Sequence, residues 1–346
     1  MSKWLARIIS VVSPVVFAIA PLVAYGGAPT PTAFPKIDIK LGTAMPTESP
    51  AVLGALKFAE LVRQRTGGAV NVQVFPAGQL GGDNDLLDQL RNGVIQMHGT
   101  GAPVLAGVRG WEPLGVLFTP FLFKGDSEEA QYPVLLKLIR GPIGKDIMEN
   151  GRRVSGIRSL DASWWYGLRH TTTKTKQITK PDDVRGLKIR ATDQPIHKLS
   201  MLALGAAVTP MAFSEVYTAL QMGVVEGQQN PLNAIYTMKF YEVQKYLTLL
   251  GDTTMTQTLN INDKFFQGLP PELRDILEKS AIEAGEYQSQ LQLNANKQNL
   301  EDLKVKGMIV NTVNRAEFAE RTKDAWKTME SQFGKGLYER VIDALR

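Results

Sequence analysis

Between Ile37 and Met97 the apolar residues repeatedly change their period, and that alternation most limits how the chain can fold. Ile37, Ile39 and Leu41 alternate with polar neighbours, the two-residue repeat of a half-buried strand. Ser49-Pro50 then supplies an N-cap and a first-turn proline, which predicts a helix through Val52, Leu56, Ala59 and Val62, stopped by Gly67-Gly68. Val70, Val72 and Val74 read as a second strand ended by Pro76, and residues 83–91 as a second helix. Gly93 precedes an apolar run, 94–97, that predicts a third strand. Strands and helices alternating at these lengths predict an open α/β sheet with parallel strands. Ligands of such sheets sit beyond the carboxyl ends of the strands, which puts residues 41–44 and 98–101 at a mouth.

Further on, a strand ends at Arg190, a helix begins at Phe213-Ser214-Glu215 with Ser214 as its expected N-cap, and Gly223 ends it. A polar loop then carries Asn230. A guanidinium presents a rigid fork of donors to a carboxylate and an amide adds one more, so this pair suits the capture of a small organic acid. Residues 271–306 form one long helical stretch behind Pro270-Pro271. No internal repeat is evident.

The N-terminus bears on compartment. Lys3 and Arg7 precede an apolar run, 8–24, then the small residues Gly26, Gly27 and Ala28 and a proline-rich linker, the order of a secretory signal peptide spanning 1–28. Pro14 and Pro21 interrupt the run, which argues for cleavage over a retained anchor, and the mature chain is expected in the periplasm. With no cysteine, a lipid anchor, disulfides and thiolate metal sites are excluded. The formal charge of +5 is scattered and forms no basic run, so a nucleic-acid partner is not expected.

Enzyme chemistry finds no support. His98, His170 and His197 lack metal-ligand spacing, and no metal or cofactor is expected. Gly99-Thr100-Gly101 starts a dinucleotide fingerprint, but Val104 stands where its third glycine belongs. A nucleophile elbow and a P-loop are missing as well.

The stretches GLKIR, TPMAFSEVYTALQMGVVEGQQNP and KFYEVQKYL, with GTAMPTESP, FPAGQLGGDNDLLDQLRNGVIQM and TPFLF upstream, resemble the solute receptors of the tripartite ATP-independent periplasmic (TRAP) transporters. The resemblance implies a two-domain periplasmic-binding-protein fold of α/β class with a long domain-spanning helix. Its expected division is 36–166 with 256–300, and 167–255 with 301–346. It implies that Arg190 holds the ligand carboxylate in a bidentate pair, that Asn230 shares it, that Arg169 reaches the ligand or its waters, and that Phe213 walls the pocket. Thr43 and Thr100 are expected from the first domain, and one of Trp164 and Trp165 is expected in the cleft with the other in the core, Trp165 being the candidate for the cleft. Three departures stand out: Gln229 replaces a carboxylate that commonly braces the key arginine, Gly99–Gly101 stand where some acidic-sugar receptors carry a carboxylate, which argues for a smaller or less polar anion than sialic acid, and Gly251-Asp252 replaces a frequent histidine. The implied partners are a small carboxylate ligand and the subunits of an ion-gradient-driven permease, with the receptor a monomer. The paired tryptophans and the lack of a second cationic anchor in the first domain favour a monocarboxylate with an apolar or aromatic tail, with a four-carbon dicarboxylate as the other candidate. A sensory receptor presenting the same ligand to a signalling partner uses the same residues.

Overall fold

The structure, a computed structural model, describes residues 34–346. The signal-peptide expectation lies outside the described residues. Strand β1 (Ile37–Gly42) is followed by helix α1 (Pro50–Arg65), whose N-cap Ser49 accepts from Val52 N at 3.4 Å. Gly67 and Gly68, at φ 60° and 82°, turn the chain into β2 (Val70–Phe75). Helix α2 (Asp83–Arg91) runs to a glycine turn at Gly93 (φ 74°), and β3 is Met97–Gly101. The third strand therefore starts later than the apolar run suggests. Val94 N closes the helix end on Gln89 O at 2.9 Å and its side chain is 60% exposed, while Ile95 enters the core.

Short helix α3 (Ala102–Leu105) leads by a 3-10 segment to α4 (Glu128–Arg140) and α5 (Pro142–Ser155). Strand β4 (Ile157–Leu168) then passes, through Arg169, straight into β5 (His170–Thr173). Next come β6 (Lys188–Ala191), α6 (Pro195–Ala203), β7 (Ala207–Pro210), α7 (Val216–Gln221), β8 (Gly227–Asn230), α8 (Leu232–Thr237) and β9 (Tyr246–Leu249). Phe213–Glu215 is a separate 3-10 turn ahead of α7, and Ser214 is not its cap as expected. Strand β10 (Thr254–Asn262), α9 (Asp263–Gln267), α10 (Pro271–Val305), β11 (Ile309–Thr312), α11 (Arg315–Thr322), α12 (Glu330–Phe333) and α13 (Leu337–Ala344) complete the chain.

Two sheets result, ordered β2-β1-β3-β10-β4 and β11-β9-β5-β8-β6-β7. In the first, β1 runs parallel to β2 and β3, but β10 is antiparallel to both β3 and β4. The all-parallel expectation fails at β10 because that strand arrives from the second half of the molecule and runs back into the first. The crossing strands also pair with each other: Arg169 N donates to Thr253 O and Gly251 N to Arg169 O, both at 2.9 Å.

The structure also corrects the absence of a repeat. The unit β1-α1-β2-α2-β3 recurs as β6-α6-β7-α7-β8, with the orders β2-β1-β3 and β7-β6-β8. Leu41 and Gly42 pair with Met97 and His98 as Ile189 and Arg190 pair with Gly227 and Gln228. Lys40 N donates to Gln96 Oε1, and Lys188 N to Glu226 Oε2, each at 3.0 Å. The glycine turns Gly93 and Gly223 have φ of 74° and 72°. On this superposition of registers, Arg190 stands where the first half has Gly42, and Asn230 where it has Thr100. Counting back from the two glycines, Phe213 corresponds to Asp83.

Helix α10, 35 residues long, packs on α1 and β4 at one end and on α8 at the other. Much of its buried face is polar, including Ser280, Gln288, Ser289, Gln292, Asn296 and Asn299. These side chains bond the strand they cover: Gln288 Nε2 donates to Trp165 O (2.9 Å) and Ser289 Oγ accepts from Trp165 N (2.8 Å). Helix and strand are thus tied by directional bonds as well as apolar contact, which fixes their register.

Candidate functional site

Arg190 projects from the interior strand β6 and is only 2% exposed. Its Nε and Nη2 donate to the single carbonyl of Met211, at 3.3 and 2.9 Å, and its guanidinium lies 5.8 Å from the centre of the Phe213 ring. Among the described residues no carboxylate pairs with it. Burial, and then the neighbouring Arg169, push its pKa down to about 9. A buried guanidinium in that state is costly unless an anion joins it.

Arg169 sits at the crossing between the sheets, buried as well. Its Nε donates to Gln229 Oε1 at 3.3 Å and its Nη2 to Gln229 O. Burial pulls its pKa down to about 10, against the attraction of Asp252 and Tyr166. Asp252 was not singled out in sequence as a partner, yet it supplies the charge that Gln229 lacks. Gln229 Nε2 donates to Asp252 Oδ1 at 2.7 Å, and Ser200 Oγ donates to its other oxygen. Gln229 therefore braces Arg169 rather than Arg190, and the carboxylate has moved one step outward. Asn230, buried on β8, donates to Gln228 Oε1 at 2.6 Å.

The facing wall belongs to the first sheet. Thr100 Oγ1 donates to Asp83 Oδ1 at 2.8 Å, and His98 Nε2 lies 3.2 Å from the same oxygen. Thr43 Oγ1 accepts from Met45 N at 3.3 Å. Tyr166, buried on β4, feels Arg169, Arg190 and Asp83 together, and burial pushes its phenol up to about 12. Sequence reading missed Asp83 and Tyr166; only the repeat, which aligns Asp83 with Phe213, carried a signal for the first.

Between the walls lies a cavity of about 390 Å³. Ala44, Gly82 and Asp83 border it from the first half, and Thr192, Met211 and Phe213 from the second. Its lining includes Asp83, Asp85 and Asp193, with Asn84 and Gln194, and no lysine or arginine. Of the ligand-binding residues expected from sequence only Phe213 borders this cavity; Arg190 meets its wall through the Met211 carbonyl and the Phe213 ring.

Trp165 does not join this group. Its side chain is fully buried, its Nε1 donates to Glu128 Oε2 at 2.7 Å, and its ring meets Tyr132 at 5.1 Å. Trp164 turns to the other face of β4 and donates to Ala281 O of α10 at 3.2 Å. Successive residues of a strand point to opposite faces, and here both faces are covered. Trp165 thus packs between β4 and α4 and does not border the cavity.

Two α/β lobes joined by crossing strands, with buried cations on one wall of the groove and acceptors on the other, define a receptor for small organic anions. The family model for bacterial extracellular solute-binding proteins, family 7, matches residues 41–332, and the chain belongs to this family of TRAP solute-binding proteins. It is 34% identical over 307 residues to the C4-dicarboxylate-binding periplasmic protein DctP of Rhodobacter capsulatus, covering 88% of this chain and 87% of that one. It is 32% identical over 269 residues to the 2,3-diketo-L-gulonate-binding periplasmic protein YiaO of Escherichia coli, covering 78% and 79%. The crystal structure of the sugar acid binding protein DctPAm from Advenella mimigardefordensis, in complex with galactonate, superposes with a TM-score of 0.83 at 28% identity, covering 90% and 98%.

Proposed function

We propose that the protein is the periplasmic receptor of a TRAP transporter for a sugar acid, a polyhydroxylated monocarboxylate, which it delivers to an ion-gradient-driven permease without chemical change. Arg190 takes the carboxylate in a bidentate pair, Asn230 and Arg169 share it, and Phe213 closes over the carbon chain. Thr43 and Thr100 belong to the opposite wall, where Asp83 accepts from the ligand's hydroxyl groups. The lobes close by rotation about the crossing strands.

The observation that carries the ligand class is the cavity lining of three aspartates and two amides without a cation. Hydroxyl groups donate to such a wall, whereas a second carboxylate meets the like charge of Asp83, Asp85 and Asp193 with no cation to offset it. This argues against the four-carbon dicarboxylate for this chain. The monocarboxylate with an apolar or aromatic tail rested on the tryptophans and on the lack of a second cationic anchor; with both indoles in the core the first support is gone, while the second favours a monocarboxylate still. The binding of galactonate and diketogulonate by the proteins described above supports the same class.

A thermal-shift screen of the mature protein against sugar acids, dicarboxylates, aromatic acids and neutral sugars tests the reading, because a ligand bound only by the native state raises the melting temperature. Shifts confined to sugar acids are expected. Shifts confined to dicarboxylates or aromatic acids contradict the ligand class, and shifts from neutral sugars alone contradict the carboxylate pair.

A further inference from the structure

The loop and first turn of α4, residues 125–131, grip both crossing strands and the long helix, and a carboxylate stands at the centre. Glu128 Oε2 accepts from Trp165 Nε1 at 2.7 Å and Oε1 from Leu168 N at 3.2 Å, both among the last residues of strand β4 before Arg169. Asn296 Nδ2 of α10 donates to both oxygens, at 3.1 and 2.9 Å. Asn296 Oδ1 in turn accepts from Asn233 N at 2.9 Å, at the start of α8 just beyond Asn230. On the same loop, Gln131 Oε1 accepts from Thr254 Oγ1 at 2.5 Å. Arg315 joins Gly125 O (2.9 Å) to Leu250 O (3.1 Å) and Gly251 O (2.8 Å). Gly167, at φ 122°, has no room for a Cβ beside Asn296 and Glu128.

Every group that bonds the Glu128 carboxylate is a donor, and no cation pairs with it among the described residues. Four donor contacts match a carboxylate; a carboxylic acid must turn its own proton towards one of them and break it. We propose that Glu128 is a positioning residue of the hinge: its charged form holds the crossing strands and α10 in the arrangement that presents Arg169 and Asn230 to the cleft. This rests on the reading of the cleft as a closing ligand site.

The charge of Glu128 is also poised to change. Burial lifts its pKa to about 7, against the hydrogen bonds from Trp165, Asn296 and Leu168. Asp126 and Glu129 on its own turn, His170 on β5, Lys297 on α10 and Arg315 on α11 border the same cavity of about 410 Å³. Burial and Arg315 depress His170 to about 3, so it stays neutral near neutrality. Asp252, the buried carboxylate on the neighbouring crossing segment, turns instead to Gln229 and Ser200. The hinge thus responds to pH through Glu128: the charged arrangement is lost as pH falls through about 7, and ligand affinity falls with it.

The chain has no cysteine, so spin labels can be placed cleanly. Val94 and Val224, equivalent in the two halves and 60% and 55% exposed, are suitable sites. Label distances by pulsed electron paramagnetic resonance, with Val94→Cys and Val224→Cys in the ligand-free mature protein, are compared at pH 6 and pH 8, alone and with Glu128→Gln. The expected result is a distribution that shifts with pH in the parent and stays fixed in Glu128→Gln. A pH-independent parent distribution, or an equal shift in Glu128→Gln, overturns the proposal. Should Glu128→Gln fail to fold, Asn296→Asp, which sets a second carboxylate against Glu128, moves the midpoint of the shift to higher pH, and an unmoved midpoint overturns the proposal. Galactonate added to the same samples reports separately on the ligand class: its failure to narrow the distances at either pH counts against the sugar acid and leaves the hinge result standing.

Discussion

At the scale of single residues, Arg190 and Arg169 are two buried like charges, burial and then Arg169 lowering the pKa of Arg190, and their unequal bracing sorts their roles. Arg169 leans on Gln229 and, through it, on Asp252; Arg190 has only the Met211 carbonyl. Arg190→Ala is therefore expected to weaken sugar-acid binding by about 2–5 kcal/mol, since it removes the bidentate partner of a buried carboxylate and leaves it only Arg169 and Asn230. Isothermal titration measures this, and near-parent affinity would remove Arg190 from the site. Asp252→Asn is a different case: it takes the countercharge from Arg169 and is expected to cost about 1–3 kcal/mol of stability in denaturant unfolding. A variant as stable as the parent would mean that Asp252 does not balance the arginines. Arg190, Asn230 and Phe213 were singled out in sequence because they stand in long family motifs. Asp83, Tyr166 and Asp252 were not, because each gains its meaning from a partner on another strand.

At the scale of elements, helix limits and most strands follow from local signals, and the misreadings have local causes. The 94–97 run looked like a strand because Ile95 and Met97 are core residues, but Val94 belongs to the glycine turn. Trp165 looked like a cleft residue because it adjoins Arg169, yet its side chain packs on Glu128 and Tyr132 of α4. The packing of β4 against α1 and α10 depends on glycines. A Cβ on Gly54 of α1 would come within 2.8 Å of the Trp164 ring, and one on Gly285 of α10 would strike the Trp164 indole nitrogen and Asp161. Gly285→Ala, which raises helix propensity, is thus expected to lower stability by about 1–3 kcal/mol through overpacking. The check is a melting curve, and an unchanged or raised melting temperature would show that the indole can move aside.

At the scale of the whole molecule, buried titratable groups set how the fold tolerates acid. His170 and His197 are both held neutral by burial, His170 against Arg315 and His197 against Arg169 and Arg190. Their folded pKa values lie below the unfolded value of about 6.5, so the stability they contribute is present above that pH and is lost as pH falls below it. The loss approaches about 1.4 kcal/mol per pH unit for each histidine. Unfolding free energies between pH 7 and pH 5 are expected to fall accordingly, and less steeply in His197→Gln; parallel profiles would contradict the assignment. The two-lobed architecture itself was legible only through the family motifs. Periodicity revealed the β-α-β-α-β unit once, and its recurrence escaped notice because the two copies share register and turns but few side chains.

The central claim is that one end of the ligand is a carboxylate on Arg190 and the other a set of hydroxyls facing Asp83. Calorimetric titration of the mature protein with galactonate, galactitol and adipate separates these ends, since galactitol keeps the hydroxyls without the carboxylate and adipate keeps carboxylates without hydroxyls. The expected result is tight binding of galactonate alone, weakened in both Arg190→Ala and Asp83→Asn. Binding of adipate in preference to galactonate, or galactonate binding that survives Arg190→Ala, would contradict it.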